Sequence, residues 1–181
     1  MNPHVICRTV LCLTLLCVVM FIGSGCAARS ELMIPASFEM TNTHAKSVLI
    51  AESVGGKETN PLWTSQISNK AYTEALAKSL EKSQVFKTVI RTGQADYTLD
   101  VTLLAYSQPW VGLDLDITMK TRWELTDNAT HKPAWSETFE TTYKAKVSEA
   151  FVAAERLQKA NEGAARTNIA EGIKRLSALK L

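Results

Sequence analysis

The sequence predicts an α+β domain, a two-layer sandwich in which two helices cover one face of a mainly antiparallel sheet, in the order strand, helix, four strands, helix. Three long stretches between positions 97 and 147 alternate apolar with polar residues, and two amphipathic segments of helical period, 65–83 and 155–179, flank them. Period-two alternation marks strands with one buried and one wet face. The helices supply the cover that the buried face needs.

The first element is the β-rich run 46–54 (KSVLIAESV), ended by Gly55-Gly56 and read as a strand. The helix over 65–83 places Ile67, Ala71, Leu76 and Leu80 at helical intervals, with Thr64 or Ser65 as N-cap. A second strand, 85–91 (VFKTVIR), closes at Gly93. In the first alternating stretch Tyr97, Leu99, Val101, Leu103 and Ala105 oppose Thr98, Asp100 and Thr102. The second sets Leu113, Leu115, Ile117, Met119, Trp123 and Leu125 against Asp114, Asp116, Thr118, Lys120, Arg122 and Glu124, so Trp123 is expected in the core. The third sets Trp135, Phe139, Tyr143 and Val147 against Ser136, Thr138, Glu140 and Lys144. Asp127-Asn128 and Lys132-Pro133 punctuate the link between the last two strands and predict a hairpin. The last helix, 155–179, aligns Leu157, Ala160, Ala164, Ile169, Ile173 and Leu176.

The N-terminus reads as an export signal over 1–25. MNPHVICR carries Arg8 as its one full charge, and TVLCLTLLCVVMFI follows as an unbroken apolar run. The run is shorter than the roughly twenty residues that cross a bilayer. Gly23-Ser24-Gly25-Cys26 resembles the bacterial lipobox, with Gly23 where an aliphatic residue is usual and Ile22 one place earlier. That resemblance implies that Cys26 is diacylated and becomes the first residue of the mature chain. The alternative is an ordinary signal that leaves Cys26 a free thiol. The other cysteines, Cys7, Cys12 and Cys17, all lie inside the signal, and lipidation explains the odd one that remains.

Acyl chains would fix the protein to a membrane in a way one chain alone does not. Ala27 and Ala28, with no Asp after the cysteine, imply by the same resemblance the outer membrane, facing the periplasm. Residues 26–45 read as lipid anchor and tether, able to span about 25 Å as a coil. Leu32, Met33, Ile34, Phe38 and Met40 are apolar for a linker, so part of it is free to pack on the domain. Residues 46–181 then form a single periplasm-facing domain.

This order of elements, with the phrases LEKSQVFKTVI, ADYTLDVTLLAY and NEGAARTNIAEGIKRL, is similar to small envelope lipoproteins that assist lipid or lipopolysaccharide transport. The resemblance implies an envelope protein partner and a non-enzymatic role. It rests on pattern, without a diagnostic motif.

The residues themselves point the same way. The formal charge is +2, Arg8 leaves with the signal, and a nearly neutral mature chain gives no sign of nucleic-acid binding. His44 in the tether and His131 in a turn lie in polar surroundings, and a turn histidine usually marks surface. No metal, cofactor or nucleophile motif occurs. Asp114 and Asp116 could pair as carboxylates, but they fit the wet face of a strand better. The sequon Asn128-Ala129-Thr130 fits chance. The small residues in Glu162-Gly163-Ala164-Ala165-Arg166 allow close approach of another backbone, most simply that of the chain's own sheet.

The remaining candidate is the turn Gln108-Pro109-Trp110-Val111-Gly112-Leu113, where Trp110, Val111 and Leu113 form an apolar group in a place that is normally polar. It is either a partner interface or a lid on the core. The function expected is a lipid-anchored, non-enzymatic accessory or adaptor of a cell-envelope assembly or transport complex. The alternative is a periplasmic lipoprotein that binds a small apolar ligand or lipid between its layers.

Overall fold

The computed structural model describes residues 27–59, 65–108, 114–150 and 152–181. Its five strands are β1 (His44–Ile50), β2 (Phe86–Ile90), β3 (Tyr97–Ser107), β4 (Leu115–Asp127) and β5 (Lys132–Ala145), and its helices are α1 (Asn69–Ser83) and α2 (Ala153–Ser177). The strands form one sheet in the order β2-β1-β3-β4-β5. Helices lie on one face, as the amphipathic segments predict, with α2 on β4 and β5 and α1 beside β2.

The three alternating stretches form an antiparallel β3-β4-β5 meander, and the β4–β5 hairpin is the one read from its turn residues. β1 pairs in parallel with both β2 and β3, which makes the sheet mixed. Helix α1 supplies the crossover that a parallel β1–β2 pair needs. Beyond Ile50 the chain stays beside β3 and bridges Val54 to Thr102, then turns at Gly55. There φ is +88° and a Cβ would fall 2.1 Å from the Leu103 carbonyl oxygen, so only glycine fits.

Helix α1 starts later than the sequence period suggests. Ser68 is its N-cap, accepting from the Ala71 N–H, while Ile67 is buried in the approach rather than in the helix. The ending is left-handed, with Gln84 at φ 57° and its N–H donated to Leu80 O.

Leu115, Ile117, Met119, Trp123 and Leu125 of β4 all point into the core, and Trp123 is fully buried. Thr121 shares that face and is buried too. The alternation of β3 breaks at a bulge between Leu103 and Ala105. Ala105, read from its odd position as inward, is therefore exposed, and Tyr106 takes the inward place against the core. Gly163 and Gly172 bring α2 onto the sheet: a Cβ at Gly163 would lie 2.3 Å from the Tyr143 ring, and one at Gly172 would lie 2.3 Å from the Trp123 ring. The small residues of α2 thus serve its own sheet.

Residues 27–43 run along the helical layer, with a 3-10 turn at Ser30–Met33 in contact with both helices. Met33 is fully buried and Phe38 packs against the core, so part of this stretch does pack on the domain, while Leu32 and Met40 are exposed. His44 is not surface. It lies in β1, buried, with Nε2 2.9 Å from Leu176 O and its ring tilted on Phe86.

Candidate functional site

Cys26, Trp110, Val111 and Leu113, the residues the sequence singles out, lie outside the described residues. What the structure shows is the frame that holds their neighbours. At the end of β3, Gln108 Nε2 donates to Ser65 O at 3.0 Å and to Asn161 Oδ1 at 2.9 Å. Asn161, fully buried on α2, donates its own amide to Ser65 O at 2.9 Å. The Tyr106 hydroxyl donates to the Gln66 side chain alongside, and burial pushes its ionisation up to about 12. The stem of the Trp110 segment is therefore fixed to α2 and to the approach of α1 by polar bonds that burial strengthens.

A second polar group sits between the layers. Asn168 Oδ1 accepts from the hydroxyls of Tyr72 and Thr121, each at 2.9 Å, and Asn168 Nδ2 donates to Thr141 Oγ1 at 3.1 Å. Trp123 Nε1 donates to Thr121 Oγ1 at 3.1 Å. Burial holds the Tyr72 phenol protonated far above tyrosine's ordinary range. Every polar side-chain atom of this cluster that could be orphaned has a partner, so it specifies packing rather than offering reactive groups. Thr121 on an otherwise apolar strand face was its sequence signal.

The Asp114 and Asp116 pair is not an acid pair. Asp114 lies 3.5 Å from Lys144, and Asp116 is exposed and faces Lys144 in the β4–β5 register. Asp100 and Glu124 are the like-charged neighbours, opposite one another across β3 and β4. Partial burial and then the Glu124 charge raise the Asp100 carboxyl above its ordinary value. His131 sits at φ 55° in the β4–β5 turn, on the rim of an open cleft of about 640 Å³ at the strand ends. Lys46, Asp96, Asp127 and Asn128 also line it. Its carboxylates are committed to the fold: Asp96 accepts from the Ser47 N–H and hydroxyl, each at 2.7 Å, and Asp127 caps Ala129 and Thr130. The sequon residue Asn128 ties the turn down by donating to Ala95 O and accepting from Thr98.

Among the described residues no group of three or more His, Cys, Asp or Glu side chains could hold a metal, and no helix is long and apolar enough to cross a membrane.

The family model LptE, lipopolysaccharide-assembly, matches residues 62–176, more than half of the chain. No curated protein matches it. Among solved structures, a DUF330-family protein from Xanthomonas campestris shares the fold with a TM-score of 0.59 at 11% identity, over 78% of this chain and 89% of that one. A candidate lipoprotein from Caulobacter crescentus aligns with a TM-score of 0.49 at 14% identity, over 72% of this chain and 87% of that one. A minor lipoprotein from Acinetobacter baumannii aligns at 0.45 and 12% identity, over 75% and 93%. The family match extends from the approach of α1 to the last turn of α2 and covers every strand except β1; the chain belongs to the LptE lipopolysaccharide-assembly family.

Proposed function

We propose that this protein is a lipid-anchored, non-enzymatic accessory of a lipopolysaccharide-assembly complex, held in the outer membrane through acyl chains on Cys26 and facing the periplasm. Family membership over residues 62–176 is the observation that carries this reading. Its partner is an envelope protein of that assembly, met by Trp110, Val111 and Leu113 at the end of β3. Two features support an adaptor over a binder of apolar ligands. The space between helices and sheet is occupied by large buried side chains, Trp123, Tyr72, Met33 and Met119 among them. The cleft at the strand ends is open rather than enclosed, with Lys46, Asp96 and Asp127 beside Leu49 and Tyr97 in its lining. An adaptor recognises its partner by a few large apolar side chains on a rigid stem, and the Gln108–Ser65–Asn161 bonds supply such a stem.

The test is Trp110→Ser in cells, followed by purification from detergent-solubilised envelopes. The variant is expected to lose the assembly partner while staying folded and membrane-bound, because an exposed side chain contributes little to stability. A variant that keeps its partner refutes the interface. A variant that loses its partner only together with its melting transition shows Trp110 to be a lid on the core.

A further inference from the structure

We infer that Gln158 and Glu162 of α2 form a clip on residues 27–29, directly after the acylated cysteine, so that the domain is seated against the membrane surface instead of standing off on a flexible tether. The inference rests on the reading of Cys26 as the lipid anchor.

Gln158 and Glu162 are four residues apart and share one face of α2. Both are buried, Glu162 to a side-chain exposure of 3%. A carboxylate so placed needs hydrogen-bond donors, because an unpaired buried anion is strongly unfavourable. It takes them from the far end of the sequence. Glu162 Oε1 accepts from the Arg29 backbone N–H at 3.0 Å, from Arg29 Nε at 3.4 Å and from Gln158 Nε2 at 3.2 Å. Gln158 Nε2 also donates to Ala27 O at 2.9 Å, and Ala28 between them is buried.

The hold continues along the helices. Arg166 donates to Leu32 O at 2.8 Å, Lys82 to Pro35 O at 2.9 Å, and Lys174 pairs with Glu39 at 2.7 Å. Asn42 N–H closes the run on Ser177 O at 3.1 Å. A free stretch of this length would let the domain wander by about 25 Å. Pinned at Ala27, the chain leaves one peptide step of about 3.8 Å between the clip and the lipid-bearing residue. The first turns of α2 then lie within roughly 15 Å of the headgroups, since residues three apart on a helix are about 5–6 Å from each other.

The experiment uses the full acylated chain in vesicles of phosphatidylethanolamine and phosphatidylglycerol containing a nitroxide-headgroup lipid. Residues 27–181 contain no cysteine, so Glu155→Cys gives a single site for a fluorophore one turn from Gln158. The label is expected to be quenched. Inserting ten Gly/Ser residues between Cys26 and Ala27 leaves the clip intact but adds reach of up to about 33 Å, and quenching should fall at least twofold. Gln158→Ala with Glu162→Ala, without the insertion, should lower it in the same direction. Carbonate extraction of the same vesicles separates the two readings. A chain that washes off refutes the lipid anchor, and the clip's role with it. A chain that stays but is quenched equally with and without the insertion refutes the seating alone. An effect of the insertion without one from the double substitution overturns the assignment to Gln158 and Glu162.

Discussion

Replacing Gly172 with Ala is expected to destabilise the domain, although in a helix this exchange normally helps. An added Cβ would lie 2.3 Å from both Cη2 and Cζ2 of Trp123 and 2.6 Å from Cε2. Carbon atoms in contact sit about 3.5–4.0 Å apart, so ring and helix must separate by more than about 1 Å. The ring has nowhere to go. Trp123 is fully buried, its centroid lies 5.9 Å from Phe139 at a tilt of 41°, and Nε1 is held by Thr121. Overpacking of this kind costs about 1–3 kcal/mol, and the helical preference of Ala over Gly returns about 1 kcal/mol. A net loss of up to about 2 kcal/mol is expected in urea unfolding followed by far-UV circular dichroism. Trp123→Phe removes the outer ring atoms. In that background the added methyl has room, and Gly172→Ala should become neutral or stabilise by up to about 1 kcal/mol. Equal destabilisation in both backgrounds, or a stabilised single variant, would show that the helix and the indole do not meet as described.

Trp123→Ala, which empties the same site and leaves Thr121 without its donor, should cost about 3–5 kcal/mol by the same assay. Tyr72 and Tyr106 predict alkaline unfolding. Their phenols keep their protons in the fold above the unfolded value near 10, so between that pH and about 12 the unfolded chain binds fewer protons and stability falls as pH rises. Tyr106→Phe should reduce the loss measured across that interval, and an unchanged slope would contradict the burial of its hydroxyl. Cys26→Ser should remove the acyl mass and release the chain from membranes on fractionation; an unmodified Cys26 in the native protein would refute the anchor.

The elements legible in the sequence were those whose signal is local. In β4 the inward residues Leu115 to Leu125 alternate without interruption because both neighbouring strands pair along it, and both helices show their apolar faces at the expected period. The parallel pairing of β1 was not legible, because which neighbours a strand takes depends on where the crossover returns it. The bulge in β3 hid for a related reason: one extra residue shifts the phase from Ala105 to Tyr106 while leaving the composition unchanged. His44 looked like tether because its partners, Leu176 and Phe86, are distant in sequence. Glu162 likewise reads as the polar margin of a small-residue patch until the N-terminal segment is folded onto it. The apolar residues between 32 and 40 were the local hint that this segment packs, and Met33 is the one of them that is fully buried. Cys26 was singled out by the lipobox resemblance and the Trp110 group as apolar residues in a place that is normally polar, and both lie outside the described residues.

We propose that the chain serves lipopolysaccharide assembly, the process by which its family is described. This role is tested most directly by depleting the protein in its own cells and measuring how much newly made lipopolysaccharide reaches the surface. Surface lipopolysaccharide is expected to fall while total synthesis is initially unchanged, with recovery on re-expression of the native chain but not of Cys26→Ser. Depleted cells that deliver lipopolysaccharide to the surface at the normal rate would contradict the account.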